Sequence, residues 1–344
     1  MTLMEKEIFE QPAALRLTAA ENAAVFKEIA KAAKKAKVRS VVLASRGSSN
    51  HACIYFKYLC EVYAGLPVSF AAPSALSLYG GKLNYKNTLV IGVSQSGAAV
   101  DALMIMRRAK ETGGVVAAVT NNLDSEMAKC ADFNIYLGCG KEESVAATKT
   151  FTAQMYDLGL LAAALSKDAS LKSALKTVPA LISKTLKLKE KLAKAAVRYK
   201  DAADGYVLAR GMNYCAAREA ALKLMETTYL RARAFAASNF HHGPFAVMCQ
   251  DTRALLFCPT GESFDSMKEM LIKLQDTGCD ITVFSDDIAL KEKAHAFVQM
   301  PEAPDCVSPI IYAAAAQLFA LSLAESRGLK PDAPRGLKKI TVTV

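Results

Sequence analysis

The chain has 344 residues, 52% of them hydrophobic, and a mean hydropathy of +0.16, enough for two buried cores at a prior of ~150 residues per domain. No run reads as long and apolar enough to cross a bilayer, which takes ~20 residues, and the acidic start MTLMEKEIFEQP lacks an apolar signal core. The net charge of +10 would suit a nucleic-acid partner, but no RNP-like aromatic stretch or zinc-finger spacing occurs, so neither a membrane nor a nucleic-acid partner is expected.

In chain order, Ala19–Ala36 reads as one amphipathic helix, and Val38–Ala44 as the first strand. Ser45-Arg46-Gly47-Ser48-Ser49-Asn50 follows, opening a helix that carries Cys53, Phe56, Leu59 and Cys60. Val68–Ala71 is a short strand, PSALSLYGG a loop with a short helix, and Leu89–Val93 a continuous apolar run, the pattern of a parallel strand covered on both faces. That run stops at Ser94-Gln95-Ser96-Gly97, and a helix follows through Leu103, Met106 and Ala109 to a C-cap at Thr112-Gly113-Gly114. Val115–Thr120 and Phe133–Leu137 are further strands, separated by a helix from Ser125. The polar loop Gly140–Thr150 feeds a helix through Leu165. Residues 167–200 place leucines at helical spacing between lysines, and read as a linker helix or helix pair with a solvated basic face.

The second half repeats the first. VVLASRG at 41–47 matches YVLARGM at 206–212, LVIGVS at 89–94 matches ALLFCP at 254–259, and VTNN at 119–122 matches FSDD at 284–287. Strands alternating with helices, twice over, predict an α/β fold of two tandem three-layer αβα units with parallel sheets. The expected division is a helical segment 1–36, a first unit 37–166, the linker 167–200 and a second unit 201–344.

Only the first copy carries serines after its strand ends: Ser48 and Ser49, Ser94 and Ser96. Hydroxyl- and glycine-rich loops at helix N-termini suit a phosphate, because unpaired N–H groups and the helix dipole converge there. An ordinary serine-capped turn would read the same at either loop alone. In the second copy, Glu219, Lys223 and Glu226 share one helix face by spacing, which also fits an exposed Glu–Lys–Glu ladder. His241-His242-Gly243-Pro244 follows a polar turn and precedes what reads as a strand start, FAVM. A histidine and a carboxylate near a phosphate suit proton transfer between C1 and C2 of a sugar. Four histidines without ligand spacing and nine singly placed cysteines predict no metal, reduced thiols and a cytoplasmic location.

KEIFEQP, RGSS, SQSG, SVAATKTFTAQ, EAALKLMETTY, HHGP and PRGLKKITV together resemble the sugar isomerase (SIS) domain family across nearly the whole chain. Within it, the chain is similar to the isomerase half of glucosamine-6-phosphate synthase. The RGSSNH, APSALSLYG, EESVAATK and GLKK variants look closer to stand-alone amino-sugar-phosphate deaminases. The resemblance implies flavodoxin-like sheets, no cofactor, a homodimer, and a hexosamine 6-phosphate or related sugar phosphate as substrate. It implies phosphate binding by Ser48, Ser49, Ser94, Gln95 and Ser96, and a substrate loop formed by Gly47, Val145 and Ala147. Glu226 matches the C1–C2 base, and His242 the ring-opening histidine that the neighbouring subunit contributes. Lys223 and Glu219 match supporting residues, and Lys339 the tail lysine that meets the open-chain sugar. Ala98-Ala99 stand where the family often has Glu-Thr, and Asn239 and His241 replace a Glu and a Lys. With no glutaminase domain in the sequence, the expected reaction is glucosamine 6-phosphate to fructose 6-phosphate and ammonia. A deglycase of amino-acid-linked ketose 6-phosphates, an aldose–ketose isomerase and a non-catalytic sugar-phosphate sensor are the alternatives.

Overall fold

In the computed structural model, which describes residues 1–339, ten strands form two five-stranded sheets. The first comprises β1 (Ser40–Ser45), β2 (Val68–Phe70), β3 (Thr88–Val93), β4 (Val115–Thr120) and β5 (Phe133–Tyr136). The second comprises β6 (Asp204–Ala209), β7 (Arg231–Ala236), β8 (Arg253–Phe257), β9 (Asp280–Ser285) and β10 (Ala296–Gln299). Every pairing is parallel, and the orders β2-β1-β3-β4-β5 and β10-β9-β8-β6-β7 are the same order read in opposite directions. This is the doubly wound, flavodoxin-like arrangement, in which ligands sit at the carboxyl ends of strands where the order reverses. In the first sheet that reversal lies between β1 and β3, the two strands that the serine loops follow.

Two compact units emerge. One is Ala13–Glu142 with Lys149–Leu175; the other is Met1–Pro12, Glu143–Thr148 and Lys176–Lys339. In the first, β3 is buried along its whole length, which is why its residues do not alternate. A Cβ on Gly92 would lie 2.3 Å from Met106 Sδ, so glycine lets the Val100–Glu111 helix pack down on the strand. In the second, the Ser308–Ser326 helix is buried on all sides and packs against the Tyr214–Thr228 and Lys189–Ala196 helices. Its Phe319 meets Tyr199 and Phe284 edge-on at 5.1 and 5.7 Å, each fully buried ring stabilising the core by about 1.5–3 kcal/mol. This 19-residue helix is long and apolar enough to cross a membrane by composition, contrary to the reading of the sequence, but it forms protein core, with 94% of its apolar window buried.

Other local readings change. The first helical segment is two helices, Leu3–Glu21 and Ala23–Lys35, broken at Asn22. The Asn22 side chain accepts from Tyr136 N and donates to Tyr136 O, so it ties the break to the end of β5. The FAVM stretch is a 3₁₀ turn, Pro244–Val247, not a strand start. The edge strand β7 lies in RARAFA, where the sequence suggested only a polar turn. The repeat also shifts by one residue at the key loop. Val93 pairs with Val119 and Phe257 with Phe284, so Ser94-Gln95-Ser96-Gly97 corresponds to Cys258-Pro259-Thr260-Gly261.

Candidate functional site

The first unit places both serine loops on neighbouring strands. Arg46 ends β1 in extended conformation and Gly47 turns at φ +54°, so Ser48 and Ser49 form the first turn of the Gly47–Leu59 helix. After β3, Gly97 adopts φ +66°, and a Cβ there would lie 2.1 Å from Ser125 Oγ, so no other residue fits. Ser48, Ser49, Ser94, Gln95 and Ser96 are all half-buried, open enough to meet a ligand. The Gln95 carbonyl accepts from Asn121 N at 3.0 Å and Thr120 Oγ1 at 3.3 Å, which pins the loop backbone to the end of β4. Arg46 donates from Nε (2.9 Å) and Nη2 (2.5 Å) to Asp101 Oδ2, joining the residue before one loop to the helix after the other. Glycine and hydroxyl signals made these loops legible; the Arg46–Asp101 pair was missed, because 55 residues separate its members.

In the other unit, the Tyr214–Thr228 helix carries the ionic ladder inward. Lys223 Nζ lies 3.3 Å from Glu219 Oε1 and 2.5 Å from Glu226 Oε2. The side chains of Glu219 and Lys223 are 1% exposed and that of Glu226 is 21% exposed. An exposed ladder is therefore excluded. Burial alone would push the Lys223 ammonium down, but the charges of Glu219 and Glu226 outweigh it and hold Lys223 above the usual lysine range. Lys223 stays cationic, and of the three side chains only Glu226 reaches the surface.

The 143–148 segment belongs to the same unit and alternates in burial: Ser144, Ala146 and Thr148 are buried, while Val145 and Ala147 are half-exposed. Buried Glu7 holds its start, accepting from Glu143 N, Ser144 N and Ser144 Oγ, the last at 2.5 Å. The tail is anchored too. Arg335 N donates to Tyr229 Oη at 2.8 Å, and its guanidinium lies 4.7 Å from the centre of the Tyr229 ring. Tyr229 caps the ladder helix in left-handed conformation, φ +58°. Half-buried Lys339, four residues beyond Arg335, is the last described residue. His242 and His241 are exposed in the turn after Ala237–Phe240. Asn239 is exposed beside them. Among the described residues, no group of three or more His, Cys, Asp or Glu is placed to hold a metal ion.

These features define a class: a duplicated parallel α/β protein with hydroxyl-rich strand ends in one copy and a buried ionic ladder in the other. A family model for the SIS domain matches residues 35–164 and 199–326, and the chain belongs to the SIS domain family. It is 33% identical over 350 residues to the glutamine–fructose-6-phosphate aminotransferase (isomerizing) of Pyrococcus horikoshii, covering 99% of this chain and 57% of that protein. The chain thus spans a little over half the length of the curated relatives it matches. Among solved structures, the C-terminal domain of the Francisella tularensis glucosamine-fructose-6-phosphate aminotransferase superposes with a TM-score of 0.85 at 26% identity, covering 97% of this chain and 98% of that one. The Thermotoga maritima glucosamine-6-phosphate deaminase shares the fold, with a TM-score of 0.79 at 19% identity over 99% of this chain and 100% of its own.

Proposed function

We propose that the protein is a cofactor-independent phosphosugar isomerase acting as a deaminase on glucosamine 6-phosphate or a similar 2-amino-hexose 6-phosphate. The observation that carries this reading is the ladder: a lysine kept cationic by two glutamates, of which only Glu226 is open to a ligand. A carboxylate held in place beside a buried cation is a fixed base. The phosphate is assigned to Ser48, Ser49, Ser94, Gln95 and Ser96, so binding energy remote from the reacting carbons positions them. His242, contributed by a second copy of this chain, assists ring opening. Glu226 takes the proton from C2 of the open-chain aldose and returns one to C1, converting the 2-amino aldose to a 2-imino ketose. Water adds to C2 and ammonia leaves, giving fructose 6-phosphate. Val145 and Ala147 line the sugar, with Lys339 at its carbonyl end. Each step needs an acid, a base and water, all of which these residues and solvent provide.

The test is to incubate the purified protein with glucosamine 6-phosphate and measure ammonia and fructose 6-phosphate. Equal amounts of both support the reading. Turnover of a ketosamine 6-phosphate with release of a free amino acid, and none of glucosamine 6-phosphate, would replace it with a deglycase. Tight binding of sugar phosphates without any turnover would favour a sensor. Glu226→Gln is expected to cut kcat by about 10²–10⁴-fold while phosphate binding persists. Retained activity in that variant would remove Glu226 from the mechanism.

A further inference from the structure

We propose that Glu7, on the first helix of the chain, is a positioning residue for the sugar, acting through the 143–148 segment. This inference rests on the functional reading above, in which Val145 and Ala147 face the substrate. Glu7 is buried, and no lysine or arginine is paired with it in an ion pair among the described residues. Its carboxylate is spent on one segment instead: Oε1 accepts from Glu143 N and Ser144 N, and Oε2 from Ser144 N and Ser144 Oγ. Two oxygens thus accept from three donors, with Ser144 N shared between them, and a carboxylate has acceptor sites for all of them. An amide in the same place has one acceptor oxygen and turns an NH2 toward the loop donors.

The other end of the segment is fixed from the same helix. Gln11 Nε2 donates to Gln317 Oε1 at 2.9 Å, and Gln317 Nε2 donates to Thr148 O at 3.2 Å. With residues 143–144 and 148 tied down, the backbone between them has one register, the one that buries Ala146 and turns Val145 and Ala147 outward. The helix is itself held by the tail: Asp332 accepts from Leu3 N and Met4 N, both at 2.8 Å, capping its first turn. Three stretches far apart in sequence therefore meet on this helix: the sugar-facing segment, the buried core helix through Gln317, and the tail that leads to Lys339. The KEIFEQP motif supplies both contact residues, one turn apart.

The experiment compares wild type, Glu7→Gln, Glu7→Asp and Ser144→Ala as full-length protein. Hydrogen exchange is followed in peptides covering 143–148, KM and kcat are measured with glucosamine 6-phosphate, and inorganic phosphate serves as a competitive inhibitor. Glu7→Gln is expected to speed exchange in 143–148 selectively and to lower kcat/KM by about tenfold to a hundredfold, while the inhibition constant of phosphate stays unchanged. Glu7→Asp, which keeps both acceptor oxygens, is expected to recover part of the loss. Ser144→Ala keeps the backbone bonds to Glu7 and removes only the hydroxyl, which meets Glu7 Oε2 and Ala146 O, and decides the matter should Glu7→Gln fail to fold, with the same pattern at smaller size. Wild-type exchange and kinetics in a folded Glu7→Gln, or a parallel loss of phosphate and sugar affinity, would overturn the inference. Absence of turnover in the wild type alone would sink the functional reading, and the exchange contrast would still decide whether Glu7 holds the segment.

Discussion

The two repeats leave their first strands in the same way and then part company. Arg46 and Arg210 have φ, ψ of −136°, 163° and −137°, 155°, and Gly47 and Gly211 both turn at positive φ, +54° and +60°. In the first copy the arginine bonds Asp101; in the second it donates to Ser266 Oγ at 2.9 Å. The next loop diverges further. Ser94-Gln95-Ser96-Gly97 keeps three half-buried polar side chains, whereas Thr260 in the second copy donates from N (2.8 Å) and Oγ1 to Asp286. Asp305 closes over Gly261, where a Cβ would lie 2.8 Å from its carboxyl carbon. Burial, with the charges of Glu262 and Asp286, pushes the Asp305 carboxyl above its usual value. A protein carboxylate thus occupies in one copy the donors that remain open to an anion in the other. Duplication kept the backbone, and the side chains divided the labour.

The comparison can be broken at several points. The largest effect is expected from Lys223→Met, which takes the cation from buried Glu219 and half-buried Glu226. Loss of about 3–5 kcal/mol should appear as a lower urea midpoint, and an unchanged midpoint would mean that the ladder is not a buried network. Next comes Ser96→Asp, which copies into the first loop the charge that the second copy holds. It should abolish detectable binding of glucosamine 6-phosphate in calorimetry, whereas Asp286→Asn should leave that binding intact; equal effects from the two would erase the distinction between the copies. A subtler contrast concerns buried acids. Asp157, fully buried, accepts from Thr18 and Asn22 with no ion-pair partner among the described residues, and burial pushes its carboxyl well above the usual value. The folded state therefore keeps a proton that the unfolded state gives up above about pH 3.8, so this group costs stability as pH rises beyond that value. Asp157→Asn should gain on wild type by about 1.4 kcal/mol per pH unit above pH 4 until Asp157 ionises, in denaturation curves run from pH 4 to pH 7. Parallel curves would contradict this. The smallest effect is expected from Asp101→Ser, which imitates the second copy. With Arg46 largely exposed, the pair is worth at most about 1 kcal/mol, a few-fold in KM that shrinks with added salt.

Much of this was written locally in the sequence. Buried strands such as β3 announce themselves as unbroken apolar runs, and positive-φ turns as glycines at 47, 97 and 211. The first sheet, the central strands of the second and the serine loops were legible for that reason. The edge strand β7 was not, because RARAFA alternates arginine with small residues and its arginines find Asp204 only across the sheet, Arg231 at 2.8 Å. Spacing placed Glu219, Lys223 and Glu226 on one face, yet could not say which face; burial depends on the packing of the Ser308–Ser326 helix, some 90 residues later. Asn22 and Glu7 were illegible for the same reason. Their partners, Tyr136 and Ser144, lie 114 and 137 residues away, beyond any local pattern.

The bond from Asp332 to the first helix also orders events in time. Every strand of the first sheet, and the helices packed on it, come from residues made before position 176. The cap on Leu3 and Met4 waits for a residue made more than 150 positions later, on the order of ten seconds at ordinary rates of synthesis. During that interval the ribosome-bound chain holds a sheet that can pair its strands, while its opening helix has only the local bond from Glu5 N to Thr2 Oγ1 and lacks the partner of Leu3 N and Met4 N. The half that carries the ionic ladder is finished from both directions, its oldest residues waiting for its youngest.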